Sequence, residues 1–201
     1  RHMANFRAKV LEYQFNGMLL KIEKNDIWTQ LIGEFNAYNL LAVYSTAKLL
    51  DHEDLPLLEQ ISKLKNVSGR FQTYYTLNKI MVVVDYAHTP DALKNIINTI
   101  NKIRNHNESL LTVVGCGGNR DIDKRPKMGK TAARYSSNVI FTSDNPRDED
   151  PSKIIEQMCS GVDSNDFKKI NTVIERKEAI ELACEMANSG DIILIAGKGH
   201  E

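Results

Sequence analysis

The chain has 201 residues, enough for one good core or for one domain plus part of another. Lysine plus arginine and aspartate plus glutamate both number 26, so the charge balance points to neither nucleic acid nor a membrane surface, and small-molecule ligands are expected. Cys116, Cys159 and Cys184 are odd in number and far apart, which fits neither a disulfide framework nor a zinc site; with no signal peptide or long apolar run, a cytoplasmic protein is expected.

Arg1-His2-Met3 reads as the remnant of a cleaved affinity tag, so the natural sequence would start in mid-protein at Ala4. Residues 6–31 alternate in short β-like runs, and Asn16-Gly17 between two of them is the dipeptide of a type I′ hairpin. Over 36–50, Leu40, Leu41, Val43, Tyr44, Ala47 and Leu50 recur at three- and four-residue spacing, which predicts an amphipathic helix. A shorter helix is expected over 55–64. The pattern changes after Val67-Ser68-Gly69-Arg70, where strands over 70–77 and 80–84 flank a turn at Asn78-Lys79. A domain boundary is placed near Gly69, dividing 1–69 from 70–201.

From there strand and helix alternate. Strands are predicted over 81–84, 110–114, 139–142, 170–173 and 192–196; helices follow Thr89 and cover 128–135, 152–158 and 176–187. Several of these strands are continuous apolar runs, as in sheets covered by helices on both faces. The fold class is therefore α/β, a Rossmann-like, doubly wound, mostly parallel sheet. In such sheets ligands collect beyond the C-terminal strand ends.

Five segments follow the strands: Asp85-Tyr86-Ala87-His88-Thr89-Pro90-Asp91, Gly115-Cys116-Gly117-Gly118-Asn119-Arg120-Asp121, Ser143-Asp144-Asn145-Pro146-Arg147, Ile174-Glu175-Arg176 and Gly197-Lys198-Gly199-His200-Glu201. All but the fourth are dense in the residues of a polar site. Asp85 is suited to a ribose and equally to a loop role on nearby backbone amides. His88 is suited to a base or phosphate, or to a plain loop; Thr89-Pro90 is a helix start. The glycine run lets backbone approach a ligand but is not the dinucleotide fingerprint G-x-G-x-x-G. Arg120 can clamp a carboxylate or pair with Asp121 or Asp123 at the surface. Asp144, Asn145, Pro146 and Arg147 combine acid, amide, fixed turn and cation, although Asn-Pro is also an ordinary turn signal. Glu201 could hold an ammonium group or be an exposed end. Lys124, Arg125, Lys127 and Lys130 read as a solvated helix face. Cys116, among glycines, is a candidate for exposure, and Met81, Met128, Met158 and Met186 are expected in the core.

Taken in order, GEFNAYNLLA (33–42), VSGRF (67–71), DYAHTPDAL (85–93), GCGGNRDIDKRPKMG (115–129), TSDNPRDEDP (142–151) and AGKGHE (196–201) span almost the whole chain. Together they resemble the Mur ligases, in particular the members that add the third amino acid of the peptidoglycan stem peptide. The resemblance implies a C-terminal Mur-ligase domain over 70–201, preceded over 1–69 by the end of the central ATP-binding domain. It implies an ATP- and Mg2+-dependent ligase acting as a monomer. That ligase activates the carboxylate of UDP-N-acetylmuramoyl-dipeptide as an acyl phosphate and joins meso-diaminopimelate to it. It places Asn36, Asn39, Arg70, Asp85 and His88 at ATP. It places Arg120, Asp144, Asn145, Pro146, Arg147, Gly197 and Glu201 at diaminopimelate. The tetrad Asp144–Arg147 implies an amino acid with a second carboxylate, and a desolvated Arg147 would penalise lysine. Asn119 departs from the aspartate usual beside Arg120. No G-x-x-x-x-G-K-[ST] phosphate loop occurs, no metal ligand is assigned, and the chain by itself is expected not to catalyse. An L-lysine-adding relative, a folylpolyglutamate synthetase-like ligase, and a noncatalytic nucleotide- or amino-acid-binding module are the alternatives.

Overall fold

The structure, a computed structural model, describes residues 4–105 and 107–199; the tag-like Arg1-His2-Met3 and the ammonium candidate Glu201 lie outside them. The chain divides into two compact units, Arg1–Asn66 and Val67–Glu201.

The first unit is an antiparallel sheet of β1 (Ala8–Gln14), β2 (Gly17–Ile22) and β3 (Asn25–Thr29), in that order, with helices α1 (Glu34–Leu49) and α2 (Asp54–Ser62). Period-2 alternation puts Met18, Leu20 and Ile22 on one face of β2, where they pack with Ala37, Leu40 and Tyr44 of α1 and Leu58 and Ile61 of α2. Val43 and Leu50, which share the helical periodicity, are exposed. The first hairpin turns one residue earlier than expected, on Phe15-Asn16, because Gln14 pairs with Gly17 across the turn. Gly17 serves a close approach instead of the turn: a Cβ there would lie 2.2 Å from the Thr29 carbonyl oxygen.

The second unit is a six-stranded sheet of β4 (Gln72–Tyr75), β5 (Met81–Asp85), β6 (Leu110–Val114), β7 (Asn138–Phe141), β8 (Ile170–Thr172) and β9 (Ile192–Ala196), in the order β4-β5-β9-β6-β7-β8. Only β4 runs antiparallel to its neighbour; the other four pairings are parallel. The connecting helices are α3 (Pro90–Ile103), α4 (Lys124–Tyr135), α5 (Pro151–Cys159) and α6 (Arg176–Met186). The α/β class and the five parallel strands hold as read from the apolar runs: every residue of β6 is buried. Burying one such Leu or Val side chain stabilises the fold by about 1.5–3 kcal/mol.

Local signals set the helix starts. The Thr89 hydroxyl accepts from the Ala92 N–H at 3.3 Å with Pro90 in the first turn, and the Asp150 carboxylate accepts from the Ser152 N–H at 2.8 Å ahead of α5. Leu93, Ile96, Ile97 and Ile100 then bury one stripe of α3. Ala179 and Ala183 of α6 lie against Leu111, Val113, Ile140 and Ile193 of the sheet. Met81, Met128 and Met158 are buried as expected. Among the described residues no helix is long and apolar enough to cross a membrane.

The position of β9 governs the rest. The last strand returns to the middle of the sheet and pairs with both β5 and β6. The C-terminal ends of β5, β9, β6 and β7 therefore stand side by side, and their four loops share one edge.

Candidate functional site

Two loops, the one after β6 and the one after β7, are laced together by backbone. The Gly118 N–H donates to the Asn145 carbonyl at 2.8 Å, and Arg147 Nη1 donates back to the Gly118 carbonyl at 2.7 Å. A Cβ on Gly118 would lie 1.9 Å from the Pro146 carbonyl oxygen, so the loops touch only because residue 118 has no side chain. Gly118→Ala is expected to push them apart, costing about 1–3 kcal/mol of stability and displacing the backbone amide resonances of Asn145 and Arg147. Unchanged resonances in the variant would refute the contact.

Asn119 and Arg147 both have φ of 50°, the left-handed region. Asparagine adopts it readily, and the Asn119 amide donates to Asp148 Oδ2 at 2.9 Å. An aspartate at 119 would set a second carboxylate against that of Asp148. The Asn119 N–H also donates to Glu149.

Beneath these loops lies a residue that the sequence reading placed at the surface. Arg125 is not part of a solvated face: its side chain is 0% exposed. Its guanidinium forks onto Glu149, with Nη1 to Oε2 at 2.8 Å and Nη2 to Oε1 at 2.9 Å. It also donates to Gln157 Oε1 at 2.6 Å and to the Gly117 carbonyl at 3.2 Å. One side chain from α4 thereby holds the β6 loop, the β7 loop and α5. The Arg125 bond, followed by that from the Asn119 N–H, keeps the Glu149 carboxyl at about 2, well below its ordinary value. Cys116 differs from expectation too: it is 2% exposed, and burial pushes its thiol up to about 11, so it is inert.

The residues proposed for an amino acid gather around this scaffold. The Arg147 guanidinium lies 3.1 Å, and the Arg120 Cγ 4.0 Å, from where a Gly117 Cβ would be, so both arginine side chains border the same glycine. Asp144 Oδ2 comes within 3.3 Å of the Cβ position of Gly197, whose φ of 101° turns the chain at the end of β9. Arg120, Asn145 and Arg147 are exposed, while Asp144 and Pro146 are half-buried. In this chain by itself Arg147 is exposed, and what its guanidinium can offer a carboxylate there is charge-assisted hydrogen bonding.

A second group lies at the end of β5. The Arg70 guanidinium sits 4.7 Å over the Tyr86 ring, and Tyr86 meets the His88 ring edge-on at 4.9 Å. His88 Nδ1 is 2.9 Å from the Tyr86 carbonyl, and Lys124 donates to the His88 carbonyl at 3.1 Å. Asp85 is 7% exposed, and its two oxygens accept from the Phe71 and Ala87 N–H groups at 2.8 Å each. Of the two roles open to it in sequence, this geometry carries the backbone one, fixing the turn that presents Arg70. Burial raises its carboxyl pKa, against the pull of the two amides and of Arg70. Asp85→Asn keeps the size but turns an NH2 toward one of those amides, with an expected loss of about 1–3 kcal/mol in urea unfolding. A variant as stable as wild type would show that the two bonds are unimportant.

In the first unit Asn36 and Asn39 lie on one face of α1. The Asn36 amide donates to the Ile32 carbonyl at 2.8 Å, and that of Asn39 to Asn36 Oδ1 at 3.3 Å.

A doubly wound sheet with interlocked polar loops over β6 and β7, and arginine side chains beside them, defines an α/β domain whose polar groups gather at the C-terminal strand ends. Residues 69–199 match the Mur ligase, glutamate ligase domain. The chain belongs to the Mur ligase family. It is 49% identical over 199 residues to the UDP-N-acetylmuramoyl-L-alanyl-D-glutamate–2,6-diaminopimelate ligase of Cytophaga hutchinsonii, covering 99% of this chain and 41% of that protein. The ligase of the same name from Aquifex aeolicus is 43% identical over 197 residues, which are 98% of this chain and 39% of that protein. A solved structure of a UDP-N-acetylmuramoyl-L-alanyl-D-glutamate–2,6-diaminopimelate ligase superposes with a TM-score of 0.66 at 36% identity, covering 100% of this chain and 41% of that one. The UDP-N-acetylmuramate–alanine ligase of Thermotoga maritima, at 20% identity and TM-score 0.72 over 96% of this chain and 42% of that one, shares the fold. The chain thus spans about two fifths of the length of these relatives.

Proposed function

We propose that the chain is the amino-acid-receiving part of a cytoplasmic ligase that joins meso-diaminopimelate to UDP-N-acetylmuramoyl-L-alanyl-D-glutamate with ATP, in peptidoglycan synthesis. The observation that supports this reading is the pair of interlocked loops, beside which the Arg120 and Arg147 side chains both border Gly117. Two cations at one rim match an amino acid with two carboxylates. Asp144 and Gly197 lie together at the neighbouring strand ends. In this reading Arg120 takes one carboxylate, Asn145 and Arg147 the distal one, and Asp144, Pro146 and Gly197 shape the wall, with Glu201 at the distal ammonium.

The chemistry is acyl transfer. The substrate carboxylate takes the γ-phosphoryl group of ATP, releasing ADP; the neutral amine of diaminopimelate then attacks the acyl phosphate's carbonyl carbon, loses a proton, and phosphate leaves as the amide forms. Arg70, with the Tyr86 and His88 rings beside it, supplies a cation on an aromatic platform suited to a nucleotide. For the first unit taken by itself, the resemblance assigns Asn36 and Asn39 to ATP. Magnesium would offset charge on the transferring phosphoryl group. Among the described residues no cluster of His, Cys, Asp and Glu is arranged to hold a metal ion, so none is given that role.

The test is steady-state kinetics of the full-length ligase with meso-diaminopimelate and L-lysine as competing amino acids. A charge-assisted fork to the second carboxylate is worth about 1.5–3 kcal/mol, so kcat/KM should favour diaminopimelate by roughly 10- to 150-fold. Comparable values for lysine would sink the reading.

A further inference from the structure

The fourth strand-end segment, Ile174-Glu175-Arg176, joins β8 to α6 and has no part in the proposed site. The structure gives it one. The Ile174 carbonyl accepts from both the Ser143 N–H and the Thr142 hydroxyl at 3.1 Å, which fastens this turn to the end of β7 immediately before Asp144. Two residues on, Arg176 Nη2 donates to the Ala196 carbonyl at 2.9 Å, at the end of β9 immediately before Gly197. Its Nη1 is buried without a hydrogen-bond partner among the described residues. An unsatisfied buried donor costs about 1–3 kcal/mol, more when charged. Asp144 is the acid whose charge acts on this guanidinium, and burial, the larger influence, lowers its pKa.

We propose that Arg176 is a positioning residue for the amino-acid site, bracing the β7 end against the β9 end so that Asp144 and Gly197 keep their spacing. This rests on the reading of those strand ends as the amino-acid wall. Arginine suits the task because it reaches from a turn already fastened to β7 through Ile174 and holds the Ala196 carbonyl with a charged, planar donor. Lysine would keep the charge but, as a flexible point donor, would hold that carbonyl with less fixed geometry. The brace also touches the end of β5, where the Gly197 N–H donates to the Asp85 carbonyl at 3.1 Å, but Arg176 bonds none of Arg70, Tyr86 and His88, so the inference predicts a larger effect on the amino-acid side than on the nucleotide side.

The experiment compares full-length wild-type ligase with Arg176→Lys and Arg176→Gln, measuring KM for the amino acid and for ATP, with thermal unfolding as a check on folding. The expected result is a rise of about tenfold or more in the amino-acid KM, larger for Gln than for Lys, with the ATP KM within about twofold. If Gln prevents folding, Lys alone decides. Unchanged amino-acid KM, or equal rises for both substrates, would overturn the brace. The split is read on whichever amino acid the wild type incorporates. A failure of the diaminopimelate reading therefore shows in the wild type, and a failure of the brace only in the variants.

Discussion

Arg125→Ala destabilises the second unit by about 3 kcal/mol at neutral pH, a larger effect than any surface cation on α4 would give. Three causes act together. The truncation leaves a cavity where a fully buried long side chain stood. It strips the Gln157 oxygen and the Gly117 carbonyl of their donor. It also frees the β7 loop from α4, since Glu149 loses its fork. Glu149 remains partly exposed, at 30%, and can be rehydrated, which keeps the cost moderate. Denaturant unfolding at several pH values separates this pair from generic packing. The Glu149 carboxyl is held at about 2 in the folded chain against 4.5 ordinarily, so its contribution is fully present above about 4.5 and is lost as pH falls toward 2. Wild type should weaken across that acid window and Arg125→Ala should weaken less. A loss under about 1 kcal/mol at pH 7 with an unchanged acid limb would refute the role given to Arg125.

Much of this arrangement can be read from the sequence because its cause is local. Several of the parallel strands, β6 among them, are apolar runs buried by helices on both faces, and Thr89-Pro90 starts α3 through its own hydroxyl and ring. What escaped depends on distant partners. The first hairpin turns on Phe15-Asn16 because Gly17 is needed against Thr29 on another strand. The placing of β9 between β5 and β6 is a pairing choice that its apolar run alone does not encode. Asp85 has two equally good roles until Phe71 and Ala87 are seen to bond it. Arg125 was within reach: Arg125, Met128, Gly129, Ala132 and Ala133 fall at i, i+3, i+4, i+7 and i+8, one buried helical stripe. The charge concealed a periodicity that already placed it inward. Arg176 gave no comparable signal, because its partner Ala196 lies 20 residues away.

Arg147→Gln in the full-length ligase lowers kcat/KM for meso-diaminopimelate by about 10- to 150-fold and changes that for L-lysine by less than about threefold. The asymmetry follows from geometry. Nη1 of Arg147 is engaged by the Gly118 carbonyl at 2.7 Å, which sets the plane of the guanidinium beside Gly117. In the proposed reading the opposite edge, Nε with Nη2, for which no hydrogen bond is seen among the described residues, takes the carboxylate that lysine lacks. Arg147→Lys should fall nearly as far, since an ammonium cannot bond the Gly118 carbonyl and a carboxylate in one plane. Arg147→Gly distinguishes recognition from folding. Residue 147 has φ of 50°, a conformation costing a non-glycine residue about 1–2 kcal/mol. Glycine removes that strain at an entropic cost of about 0.5–1 kcal/mol and also gives up the bond to the Gly118 carbonyl, so stability should stay within about 1 kcal/mol of wild type while diaminopimelate use collapses. A variant that loses both substrates equally would place Arg147 in the scaffold. One that keeps its preference for diaminopimelate would move the recognition of the second carboxylate to another residue, with Arg120, whose side chain also borders Gly117, the cation to examine.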